Sequence, residues 1–139
     1  MPTSSTISAN TPTTASQTAW HMTLGAQVET GGVRFRVWAP KRARVDVVLE
    51  EGGRSFPLMK DEAGYFSGLV PIARAGMLYR YGLDNGEAYP DPCSRYQPQG
   101  PHGPSLIVDP STYTWRHPEW QGVRMQGQVI YELHVGTFT

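Results

Sequence analysis

Val33-Arg34-Phe35-Arg36-Val37-Trp38-Ala39-Pro40 alternates apolar side chains with polar or bulky ones at a period of two. That period puts Val33, Phe35 and Val37 on one face of a strand and Arg34, Arg36 and Trp38 on the other. Pro40 has no N–H to give a ladder, so the strand ends at Ala39-Pro40. The same pattern continues downstream. Val45, Val47 and Leu49 make the apolar side of a second strand, and Glu51-Gly52-Gly53-Arg54 reads as a hairpin connection into Phe56, Leu58 and Met59. Asp61 to Gly64 then turns the chain into a strand over Tyr65 to Leu69, so the steps read as an antiparallel meander. Met77, Tyr79, Tyr81 and Leu83 share a face opposite Arg80, and the following Asn85-Gly86 pair predicts a type I′ hairpin.

Helical periodicity is absent from Gly25 onward. Strands recurring every 8 to 12 residues or so predict an all-β, immunoglobulin-like sandwich, here over residues 23–109. The Cys, Trp and Cys framework of antibody domains is missing. Between Tyr89 and Pro104 the chain carries Pro90, Pro92, Pro98, Pro101 and Pro104, which neither pair as a central strand nor continue a helix. An ordered, extended connector is expected there, with Leu106 to Val108 adding one short strand. Residues 110–127 read as an irregular linker with one turn of helix. Val129-Ile130-Tyr131-Glu132-Leu133-His134-Val135 is a dense β-prone run of the kind buried on both faces of a parallel sheet. Residues 128–139 therefore belong to something that follows the sandwich.

Residues 1–22 are mostly Thr, Ser, Ala, Asn and Pro, too poor in large apolar side chains to offset ordering entropy, and read as a disordered tail. They show neither the basic start nor the apolar stretch of a secretory signal. Cys93 is the only cysteine, which excludes an internal disulfide and agrees with a cytoplasmic location. Twelve Lys and Arg balance twelve Asp and Glu, so neither nucleic acid nor membrane is expected as a partner. The four histidines have no ligand-like spacing and no phosphate-cradling glycine motif occurs, so no metal and no cofactor is expected. Asp91 and Asp109 read as solvated loop carboxylates.

Sugar-binding surfaces combine flat aromatic faces with amides and carboxylates. Trp38, Tyr65, Trp115 and Trp120 supply such faces, the alternative being core or domain-interface packing. Trp38 lies opposite the apolar face of its own strand, which makes it a ligand or interface residue rather than a sandwich-core one.

Phe35 to Pro40, followed by Ala43, Val45 and Val47, resembles the N-terminal β-module of glycogen branching, debranching and trehalose-producing members of the alpha-amylase superfamily. Gly64-Tyr65-Phe66, Gly76 to Tyr81 and above all Tyr89 to Ser105 are similar to the malto-oligosyltrehalose trehalohydrolase family. Val129 to Thr139 resembles that family's first barrel strand, so the resemblance implies an immunoglobulin-like sandwich of the E-set type followed by the start of a truncated (β/α)8 barrel. It also implies a parent glycoside hydrolase that cleaves the α-1,4 bond next to the terminal trehalose of a maltooligosyl trehalose. Its partner would be that substrate or an α-1,4-glucan, bound through the full-length enzyme with the catalytic barrel that is missing here. Retaining glycosidases use a carboxylate pair, and no position in this chain matches a catalytic motif, so no catalytic residue is assigned and the chain alone is expected to be inactive. A branching or debranching enzyme shares Phe35 to Pro40 but is not expected to share Tyr89 to Ser105. A stand-alone carbohydrate-binding or interaction module is the alternative from another class.

Overall fold

A computed structural model describes residues 23–138, so the tail expected over residues 1–22 lies outside the described residues. The chain divides into two compact units at Asp109–Pro110. The first is all-β. Its strands are β1 (Gly25–Glu29), β2 (Gly32–Trp38), β3 (Val45–Leu49), β4 (Ser55–Pro57), β5 (Met59–Lys60), β6 (Tyr65–Val70), β7 (Leu78–Leu83), β8 (Ala88–Tyr89) and β9 (Ser105–Leu106). They form two antiparallel sheets, ordered β1-β2-β6-β5 and β4-β3-β7-β8, with β9 also paired to β7.

The alternation in β2 and β3 sets the inner faces. Val33, Phe35, Val45, Val47 and Leu49 are fully buried, and Val37 nearly so. Phe66 and Val70 join them from β6, and Tyr79 and Tyr81 from β7. The Phe35 and Tyr79 rings meet edge to face with centroids 4.9 Å apart, joining the two sheets.

The expected antiparallel steps hold at the β3–β4 and β5–β6 hairpins, but the continuous meander is corrected. β2 pairs with β6 and β3 pairs with β7, so it is successive hairpins, β1-β2, β3-β4, β5-β6 and β7-β8, that alternate between the two sheets. A continuous meander builds a single sheet, and two sheets of one chain cover each other's apolar faces only where the chain crosses between them. Leu58 marks one crossing. β4 pairs with β3, whereas β5 pairs with β6. The Leu58 N–H donates to the Val45 carbonyl at 3.0 Å, and its side chain is buried at the crossing.

The Asp84 to Gly86 turn also departs from expectation. A type I′ turn needs positive φ at both central residues, yet among the described residues only glycines have positive φ, with Gly86 at 81°. The Gly86 N–H bonds to the Leu83 carbonyl at 3.0 Å, and the Leu83 N–H to the Glu87 carbonyl at 2.8 Å. The loop thus holds three residues and closes on a left-handed glycine bulge.

In the second unit, single 3-10 turns occur at Pro110–Thr112 and Val135–Thr137. The β-prone run at 129–135 forms no ladder, since a strand needs partners for its backbone and none lies beside it among the described residues. Val129, Ile130, Tyr131 and Val135 are exposed. Ending the chain after Gly127 is therefore expected to preserve the sandwich's cooperative thermal transition and to reduce oligomers seen by light scattering. Loss of that transition would place residues 128–139 in the sandwich core.

Candidate functional site

β2 and β6 place Trp38 and Tyr65 as direct cross-strand partners on the outer face of the first sheet. Trp38 is 59% exposed, and its indole Nε1–H donates to the Ala63 carbonyl at 3.2 Å, which fixes the ring while leaving a face to solvent. The turn that carries Ala63 is itself pinned. Gly64 sits at φ 85°, its N–H bonds to the Asp61 carbonyl at 3.1 Å, and its carbonyl accepts the Ala39 N–H at 3.0 Å. A Cβ there would stand 2.7 Å from the Pro40 Cβ, so glycine is needed for both conformation and space.

Tyr65 is covered from one side by Arg36, whose guanidinium carbon lies 4.4 Å from the ring centroid. Arg36 Nη2 is 3.5 Å from Asp61 Oδ2, and its buried Nε has no hydrogen-bond acceptor. Lys60 Nζ donates to the carbonyls of Pro40 at 3.0 Å and Arg42 at 2.6 Å, tying the end of β2 to β5. The result is a half-rigid aromatic ledge with charged groups at its rim.

The other two expected residues lie in the second unit. Trp115 and Trp120 are exposed and line a cleft of about 430 Å³ with Tyr113, Arg116 and His117. Tyr113 and Trp115 meet edge to face at 4.9 Å. Trp38 is thus brought to Tyr65, and Trp115 to Trp120.

Asp91 was expected to be solvated and is instead 2% exposed. It accepts hydrogen bonds from the Tyr79 hydroxyl at 2.6 Å, the Tyr81 hydroxyl at 3.3 Å and the Cys93 N–H at 2.7 Å. Its own N–H donates to Ser105 Oγ at 2.9 Å. The proline-rich segment folds back over the sandwich, and Arg95 Nη1 donates to the Ala26 carbonyl of β1. Burial raises the Asp91 pKa, outweighing the hydrogen bonds from Tyr79 and Cys93 that oppose it. Burial and the nearby carboxylate push the Tyr79 and Tyr81 hydroxyls upward as well. The sequence places Tyr79 and Tyr81 on one strand face, and the need of two buried hydroxyls for an acceptor is the signal that could have found Asp91. Asp109 is half-buried. Cys93 is a partly buried free thiol whose pKa is raised by burial and then by Asp91, which leaves it less reactive.

An exposed, anchored tryptophan beside a tyrosine on the outside of a two-sheet sandwich is suited to a pyranose face. Residues 23–111 match carbohydrate-binding module 48, the isoamylase N-terminal domain. The chain belongs to the carbohydrate-binding module 48 family. This module 48 chain is 40% identical over 118 residues to malto-oligosyltrehalose trehalohydrolase of Saccharolobus solfataricus, a match covering 85% of this chain and 21% of that protein. It is 33% identical over 128 residues to the 1,4-alpha-glucan branching enzyme of Corynebacterium jeikeium, covering 83% of this chain and 18% of that one. Its structure resembles a putative alpha amylase from Salmonella typhimurium with a TM-score of 0.67 and 37% identity, covering 86% of this chain and 20% of the other. The module 48 chain therefore spans about a fifth of the length of these proteins. None of its described helices is long and apolar enough to cross a membrane.

Proposed function

We propose that the chain is the N-terminal module of an α-glucan-active glycoside hydrolase of the malto-oligosyltrehalose trehalohydrolase type, working in the cytoplasm. In that enzyme the Trp38–Tyr65 ledge lies against the α-1,4-linked substrate. The observation that carries the binding role is the exposed Trp38 ring, locked by its bond to Ala63 and set beside Tyr65 in a module 48 sandwich. Support for the trehalohydrolase type over a branching enzyme is the higher identity to the former, 40% against 33%. The parent reaction would release trehalose by hydrolysing the adjacent α-1,4 bond, with a carboxylate pair supplied by a barrel that residues 128–139 begin. Asp91 is committed to Tyr79, Tyr81 and Cys93 and serves the fold. Trp115 and Trp120 are the second candidate contact, on a segment of turns rather than paired strands.

Two outcomes are expected of the chain alone. Incubated with maltooligosyl trehalose, it releases no trehalose above buffer, because bound sugar without transition-state carboxylates leaves the barrier in place. Titrated with maltoheptaose, its tryptophan fluorescence reports a dissociation constant on the order of 1 mM, about 4 kcal/mol, as suits an open ledge rather than a deep pocket. Trp38→Ala is expected to abolish that response. A response retained in Trp38→Ala and lost in Trp115→Ala or Trp120→Ala would move the site to the second unit, and turnover tracking the purified chain would overturn the assignment as a non-catalytic module.

A further inference from the structure

We infer that the glucan surface does not stop at the aromatic ledge but continues along β2 into a cleft that carries charged side chains, so that the module reads a run of several glucosyl units. This rests on the α-glucan reading above and adds the length of the ligand. A cleft of about 680 Å³ opens on the same outer sheet face, lined among others by Gly25, Gln27, Glu29, Arg34 and Arg36. Arg36 belongs to both regions, because it lines the cleft and also stacks on Tyr65. Arg34, Arg36 and Trp38 alternate along one face of β2, so the track from Arg34 to Trp38 is roughly 13 Å long at about 3.3 Å per residue. That is longer than one pyranose ring.

The chemistry selects an uncharged ligand. Arg34 Nε bonds both carboxylate oxygens of Glu29, at 2.9 and 3.0 Å, and Arg36 faces Asp61. Each guanidinium thus has its own carboxylate, and no net positive field remains to attract a phosphate. What remains are guanidinium N–H donors and carboxylate lone pairs on partly exposed side chains, with the Gln27 amide opposite Arg34. Paired charges of this kind donate to and accept from neutral hydroxyls, and the two rings at the end of the track supply apolar planes.

The test is a series of amide correlation spectra of the full chain titrated with maltose, maltotriose, maltoheptaose and, separately, inorganic phosphate. Maltose is expected to shift only resonances around Trp38 and Tyr65. Maltoheptaose is expected to bind about tenfold more tightly than maltose and to shift Gln27 and Arg34 as well. Arg34→Gln, checked for retained spectral dispersion, is expected to lose that tenfold gain. Equal affinity at every length with shifts confined to Trp38 and Tyr65, or an unchanged gain in Arg34→Gln, overturns the extended track and leaves the ledge intact. Shifts of Gln27 and Arg34 by phosphate overturn the neutral-ligand assignment, and no shift with any saccharide overturns both the track and the ledge.

Discussion

Asp91→Ala is expected to lower the thermal midpoint of the sandwich by roughly 15–30 °C, corresponding to about 4 kcal/mol in a domain of this size. The substitution leaves the hydroxyls of Tyr79 and Tyr81 and the N–H of Cys93 without their acceptor in a site that water does not reach. Each such orphaned group costs about 1–3 kcal/mol. Asp91→Asn keeps an oxygen for Cys93 and presents an amide that the tyrosine hydroxyls can accept from, so a much smaller loss is expected. The pair also has a pH signature. Because burial raises the Asp91 pKa, the folded state holds that proton more tightly than the unfolded chain does. The associated stability is fully present below the unfolded value of about 3.9 and is lost as pH rises through the folded value. Urea melts across that window should therefore show wild type losing ground to Asp91→Asn as pH increases. A difference moving the other way would mean that the donors, rather than burial, dominate at Asp91.

The second large effect is expected from Gly64→Ala, at about 3 kcal/mol together with loss of maltoheptaose binding. An alanine would have to hold φ near 85°, and its Cβ would stand 2.8 Å from the Pro40 Cα, which is backbone and cannot swing aside. Relief requires the 61–64 turn to move away from Ala39 and Pro40. That same turn carries the carbonyl that holds the Trp38 indole. Chemical denaturation and the fluorescence titration should therefore change together. Destabilisation with unaltered glucan affinity would show that the Ala63 contact does not position the ring.

How much of this was legible in the sequence follows from the range of each signal. The period of two in Val33 to Trp38 fixed which residues face the core, because pleating is a property of one strand. Partner choice is not. Trp38 and Tyr65 were each picked out as aromatic, but their meeting depends on β2 pairing with β6, and the interleaving of strands between sheets left no local trace. Leu58 looked like one more residue of a strand because a crossing between sheets keeps the apolar side chain that a strand would also show. Asn85-Gly86 named the turn without deciding its length, since glycine serves equally in a two-residue turn and in a bulge. Asp91 was misread because a carboxylate among prolines resembles any loop charge until its tyrosine donors, from another strand, are in place.

That α-glucan lies on the outer face of the β1-β2-β6-β5 sheet is tested most directly with maltoheptaose carrying a nitroxide label, read as relaxation enhancement of assigned amides in the 139-residue chain. The expected result is broadening centred on Trp38, Tyr65 and Ser67, which share that face. Broadening centred instead on the β4-β3-β7-β8 sheet, or on residues 110–138, would contradict it.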